Sequence, residues 1–169
     1  MQLPIFWMQY GIDCFWHWFS MAAVIYQGNI DALQGRKPVG DGDCVDLVQK
    51  LTNIGHTSGW RRGARVLDLM YLNPGTVVGN FVWDEVLRIW KFPNKHGYHV
   101  GFFMDFGPAA FPREMAKAFS MMDQWKNRTP GPDEVRARFI LVKDHLVAQG
   151  QKIADCDNAS KYYVVEVYP

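Results

Sequence analysis

A chain of 169 residues, 49% of them hydrophobic, has the length of one domain and can bury a core without leaning on disulfides. Its net charge of +1, with no run of Lys and Arg, gives no electrostatic case for a nucleic-acid partner. Three cysteines, Cys14, Cys44 and Cys156, with no CxxC or paired-histidine spacing, exclude a disulfide framework and a zinc site, and no cofactor or metal is expected.

The first 26 residues carry one charge, Asp13, and seven Trp, Phe or Tyr residues by position 19. A secretory signal needs a basic n-region, and the first basic residue is Arg36, so no cleavable signal is expected. A membrane span is opposed by Gln2, Pro4, Gln9, Asp13 and His17, and aromatic side chains suit an interface better than a bilayer centre. We read residues 1–26 as an N-terminal extension, with Met21 as the alternative translation start, and residues 27–169 as a single domain.

Val39-Gly40-Asp41-Gly42 reads as a glycine-loosened loop that turns into a helix from about Asp43 to Asn53, ending at Gly55. Asp41 or Asp43 is the expected N-cap. Leu47, Val48 and Leu51 give the helix an apolar face that Cys44 shares. A thiol in the first turn feels the partial positive charge of unpaired N–H groups, which favours the thiolate, so Cys44 is the candidate nucleophile. Cys14 and Cys156 then remain, either paired in an oxidising compartment or as two reduced thiols.

Residues 55–63 read as a polar, glycine-rich loop, and Asn73-Pro74-Gly75 as a turn. Strands are expected over Thr76–Trp83, Tyr98–Asp105, Phe119–Trp125, Arg138–Val142 and Tyr162–Val167. A helix that delivers a cysteine, followed by an antiparallel sheet of about five strands, is an α+β layout.

A nucleophilic thiol needs a base within hydrogen-bond reach and a group to orient that base. Five histidines compete. His17 lies in the aromatic run and His145 near the end of a late strand, and His96 reads as a surface residue. His56 flanks the helix end and is expected to line the cleft. His99 opens a strand between Gly97 and Gly101, which are small enough for a helix or substrate to approach closely. Taken alone, a histidine there is a satisfied, half-buried ring; paired with Cys44, it reads as the base. Asp123 is the expected orienting group, with Gln124, on the opposite face, as the alternative.

Cysteine at a helix start, then histidine on a strand, then a polar residue on the next strand resembles the papain-like cell-wall hydrolases of the NlpC and CHAP types. Asp43-Cys44-Val45-Asp46-Leu47-Val48 resembles their Asp-Cys-Ser-Gly-Leu-Val box, and Gly97-Tyr98-His99-Val100-Gly101 their Gly-His-Val-Gly strand with one inserted tyrosine. His56-Thr57-Ser58-Gly59-Trp60, Asn73-Pro74-Gly75-Thr76 and Asp123-Gln124-Trp125 are similar to the small amidases that type VI secretion systems inject into rival bacteria. The resemblance spans roughly residues 38–142. Asp46 departs from it, standing where a small residue is usual and narrowing or acidifying the cleft.

The resemblance implies a peptidoglycan amidase or endopeptidase that cleaves stem-peptide amide bonds, with Cys44, His99 and Asp123 as catalytic residues. The backbone N–H of Cys44 would be an oxyanion donor. His56, Trp60, Arg61 and Gln124 are the expected substrate-binding residues, with Arg61 or Arg62 pairing with a substrate carboxylate. It further implies delivery to the periplasm of target bacteria without a cleavable signal peptide, a periplasmic immunity protein as inhibitor, and no membrane or nucleic-acid partner. Two other classes share these residues: a deamidase or transglutaminase-like toxin acting on protein glutamine, and a binding protein with an inert Cys–His pair.

Overall fold

Neighbouring apolar residues on one strand serve opposite faces of a sheet, and the second half of this chain is built on that alternation. The computed structural model describes residues 21–93, 95–107, 117–126 and 133–168. The readings placed on residues 1–20, including Cys14, His17 and most of the aromatic run, fall outside the described residues. The strands are β1 (Ala22–Ala23), β2 (Arg61–Arg65), β3 (Val77–Asn80), β4 (Val82–Asp84), β5 (Ile89–Lys91), β6 (Val100–Phe106), β7 (Ala118–Gln124), β8 (Val135–Leu141) and β9 (Tyr162–Val167). The α-helices are α1 (Cys44–Leu51) and α2 (Asp144–Ala148).

The main sheet runs β1-β9-β3-β6-β7-β8, with β2 also paired to β9, and all of these pairings are antiparallel. Val77, Phe102 and Met122 face one core cluster, which contains Leu47 and Val48 of α1. Their neighbours Val78, Phe103 and Met121 face a second, with Ala159 and Tyr162. The sheet is therefore covered by α1 on one face and by the segment before β9 on the other. Among the described residues no helix is long and apolar enough to cross a membrane.

This is an antiparallel sheet with few helices, and its strand count exceeds the expected five. Ala22 and Ala23 pair with Val167 and Glu166, and Ile25 bridges to Thr76, so sheet residues begin inside the stretch expected to be an extension. The arginine-rich β2 was expected to be loop. It pairs with β9 through a bulge between Arg62 and Arg65, and Gly63 leaves room for Glu166, whose Oε1 would lie 2.5 Å from an added Cβ. The expected strand Thr76–Trp83 divides at Phe81: the Asn80 side chain bonds across to other segments, and Val82 begins the separate hairpin β4–β5. His145 lies in α2, not at the end of a strand. The α1 helix stops two residues early because Thr52 is extended and its hydroxyl donates to Val48 O at 2.7 Å.

Gly101 is small for a reason other than the expected approach of a helix or substrate. A Cβ there would lie 2.6 Å from Met122 O and 3.1 Å from Asp123 Cβ, so the glycine lets β7 close against β6 beside the acid.

Candidate active site

The start of α1 is held by a different device from the expected cap. Asp43 occupies the N-cap with extended backbone, yet its carboxylate makes no cap hydrogen bond and pairs with Lys126 at 3.1 Å. Asp46 reaches back instead, and its Oδ2 accepts from Asp41 N–H at 2.6 Å. Gly40 and Gly42, at φ of +60° and +85°, supply the left-handed backbone of that turn, and a Cβ on Gly40 would strike the Asp46 carboxylate. Asp46 thus lines the cleft while holding the loop that delivers Cys44.

Cys44, the first residue of α1, is half-buried in the wall of a cleft of about 410 Å³. His99 stands just before β6 and is 2% exposed. Asn80 grips its backbone from both sides: His99 N–H donates to Asn80 Oδ1 at 3.0 Å, and Asn80 N–H to His99 O at 3.1 Å. The ring nitrogen Nε2 meets Asp123 Oδ2 at 2.9 Å, which leaves Nδ1 for the cleft that His99 and Cys44 both line. Asp123 is fully buried, and the same oxygen accepts from Arg138 Nε at 2.8 Å.

Burial alone would drive His99 toward its neutral form. The negative charge of Cys44 and the hydrogen bond and charge of Asp123 override it, and the imidazole is pushed up to about 9. Burial likewise works against the Asp123 carboxylate, but His99 and Arg138 hold it below the usual carboxylate range. Both directions favour an imidazolium paired with the Asp123 carboxylate. Trp125 stacks on this ring with centroids 5.0 Å apart and planes 26° apart, and so covers the imidazole from solvent.

The structure brings Cys44, His99 and Asp123 together. Asp123, not Gln124, faces the imidazole, because adjacent residues of β7 serve opposite faces. Gln124 lines the cleft but its amide is committed to the chain: Oε1 accepts from Val39 N–H at 2.7 Å, and Nε2 donates to Val39 O and Asp43 O at 2.8 and 2.7 Å. Gln124→Ala should therefore misplace Cys44. Three partners lose their bonds, at about 1–3 kcal/mol for each group left unsatisfied, so both the melting temperature and the rate of Cys44 alkylation by iodoacetamide should fall. Unchanged alkylation would show that the amide does not position Cys44.

His56 lines the cleft, and its Nδ1 accepts from Ser58 N–H at 3.3 Å, capping a short turn. Trp60 does not contact the cleft. It is fully buried against Phe92, and its indole N–H donates to Ile54 O and Gly55 O, both at 3.2 Å, closing the loop back on the end of α1. Arg61 is also turned away, donating to Ser58 O and Trp60 O, with its guanidinium 5.9 Å from the Tyr168 ring centroid. Arg62 packs over Trp90 at 3.7 Å. The basic side chains on the cleft wall are instead Lys95 and His96, just before Gly97; His96 is exposed, as the surface reading has it, and lines the cleft as well. Arg138 was missed altogether. Among the described residues no cluster of His, Cys, Asp or Glu has metal-binding geometry.

No family model matches the chain. Over 142 residues, 82% of this chain and 96% of the relative, it is 31% identical to the type VI secretion amidase effector 2 protein of Salmonella typhi. The chain belongs to the type VI secretion amidase effector 2 family. A solved structure of type 6 secretion amidase effector 2 (Tae2) aligns with a TM-score of 0.64 at 30% identity, over 85% of this chain and 94% of that one. In this amidase-effector chain the cleft at the start of α1 is lined by both Cys44 and His99.

Proposed function

We propose that this chain is a peptidoglycan amidase or endopeptidase, an antibacterial effector that cleaves a stem-peptide amide bond by a Cys44–His99 thiol mechanism. The observation that carries the reading is an open cleft lined by both Cys44 and His99, with His99 bonded to the buried Asp123, in a member of an amidase effector family. A nucleophile at a helix start, packed on an antiparallel sheet that bears base and acid, supports a papain-like arrangement.

Cys44 Sγ, as thiolate, attacks the amide carbonyl carbon. The N–H groups of a helix's first turn have no partner within the helix, so the Cys44 N–H is free to donate to the oxyanion. His99, as imidazolium, protonates the leaving amine, and the carbon–nitrogen bond breaks to leave a thioester. Neutral His99 then takes a proton from water, which attacks the thioester and releases the carboxylic acid and Cys44. Asp123 holds the ring and stabilises its charged form. Lys95 and His96 on one wall, with His56 near the other, provide the positive and donor groups for stem-peptide carboxylates, the role the sequence had given to Arg61 or Arg62.

Fused to a periplasmic signal, the protein should lyse bacteria, while the same chain retained in the cytoplasm should be nearly harmless. Purified sacculi digested with it should release stem-peptide fragments identifiable by mass spectrometry. Killing from the cytoplasm, with sacculi untouched, would move the activity to a protein glutamine substrate. A periplasmic immunity protein that occupies the Cys44 cleft should abolish both effects.

A further inference from the structure

Four hydrogen bonds radiate from Arg138 in β8. Nε donates to Asp123 Oδ2 at 2.8 Å, the oxygen that also engages His99. Nη1 donates to Asp157 Oδ1 at 3.1 Å, and Nη2 reaches Cys156 O at 3.2 Å and the Tyr162 hydroxyl at 3.3 Å. The guanidinium carbon lies 5.6 Å from the centroid of Trp125, the ring that covers His99. Sheet register explains the reach: Arg138 pairs with Met121, so it shares a face with Asp123 two residues along. A planar guanidinium suits several acceptors held in fixed directions, which an ammonium on a flexible stem does not.

A second tie runs parallel to the first. Asn80, whose Oδ1 accepts from His99 N–H, donates through Nδ2 to Asp155 O at 3.3 Å and Lys161 O at 3.0 Å. Cys156 N–H donates to Gly97 O at 3.2 Å. The segment Asp155–Tyr162 is thus fastened to both members of the His99–Asp123 pair.

We propose that Arg138 is a positioning residue for the catalytic pair, holding the Asp123 carboxylate in the orientation His99 requires and bracing it against the segment Asp155–Tyr162. The proposal rests on the Cys44–His99 reading above. Arg138 does not line the cleft, so it acts through Asp123. The titratable and charged groups around the pair are Cys44 from α1, Asp123 from β7, Arg136 and Arg138 from β8, Cys156, Asp157 and Tyr162 from the bracing segment, and Lys95, His96 and His56 along the cleft. Besides His99, Arg138 touches the acid, and its charge is permanent. Without it the carboxylate keeps His99 as its partner, loses one fixed direction, and takes up a proton more readily.

The test is the pH profile of kcat/KM together with the pH profile of Cys44 alkylation by iodoacetamide. Arg138→Met should lower kcat roughly ten- to a hundredfold, the worth of one charge-assisted hydrogen bond, with KM little changed. The acidic limb of both profiles should move to higher pH. Arg138→Lys should restore the position of that limb while leaving kcat several-fold low, since the charge returns without the fork. A purely architectural arginine would lower the melting temperature and leave both limbs in place, and that result overturns the proposal. Should Arg138→Met fail to fold, Arg138→Lys and Asp157→Asn decide: a several-fold loss of kcat in the lysine variant, and a smaller loss in Asp157→Asn, support it, and wild-type kcat in both overturns it. The alkylation arm needs no peptidoglycan. Full hydrolysis by Cys44→Ala would sink the thiol mechanism itself, whereas an essential Cys44 with unmoved limbs in Arg138→Met sinks this inference alone.

Discussion

Cys44→Ala should abolish hydrolysis of sacculi, by roughly 10⁶-fold on the scale seen when a covalent nucleophile is removed from a working triad. The fold should survive: Cys44 is half-buried at the edge of the core, and its neighbours Leu47 and Val48 carry the packing of α1. Circular dichroism and melting behaviour near wild type, with no fragments released, is the expected pair of results; retained digestion would remove the thiol from the mechanism. Cys156→Ala is the contrasting variant. Burial, with Asp157 beside it, pushes that thiol up to about 11, and it is 2% exposed, so it should neither alkylate at neutral pH nor be needed for turnover.

His99→Ala should cost about 10²–10⁴-fold in kcat, the usual contribution of general acid–base catalysis. His56→Ala should cost far less, because that ring caps a turn. The wild-type enzyme should hold its rate as pH rises and lose it through about 9, where the imidazolium that protonates the leaving amine disappears. Asp123→Asn removes an anion that raises His99, so its alkaline limb should move to lower pH. Stability follows the same proton. The folded-state value of His99 lies above the unfolded one near 6.5, so its contribution is complete below that pH and is lost as pH rises through about 9. Asp123, held low, contributes in the other window, above the ordinary carboxylate range, and its share is lost on acidification. An alkaline limb in Asp123→Asn coincident with wild type would separate the acid from the base.

The parts of the site legible in the sequence are those with local signatures. Cys44 follows a glycine-rich turn at a helix start, and His99 stands between two glycines at the edge of an alternating strand. Asp123 and Gln124 were distinguishable in principle by pleat parity, and the structure uses both, one for the base and one for the nucleophile loop. What escaped depends on distant partners. Arg138 is an ordinary strand arginine until β7, β8 and the bracing segment meet. Strand β2 was hidden by its three arginines: Arg62 lays its guanidinium over Trp90 and Tyr163, Arg61 over Tyr168, and Arg65 pairs with Asp68. Trp60 in a polar loop read as a binding residue because nothing nearby in the chain announces that the loop folds inward and hands the indole two backbone carbonyls.

The division of labour along β7 sets how the chain can change over time. Asp123 serves the base, Gln124 the nucleophile loop, and Trp125 roofs the imidazole, three consecutive residues with three separate tasks. A substitution at any of them is a local event. A one-residue insertion or deletion within the strand is not: it reverses the face of every residue beyond it, a deletion offering the Gln124 amide to the imidazole and an insertion offering the Asp123 carboxylate to the backbone of Val39. Diverging descendants are therefore free to vary the length of their connecting loops and the identity of their cleft wall, while the register that sets Met122 opposite Phe102 and Asp123 beside His99 stays fixed.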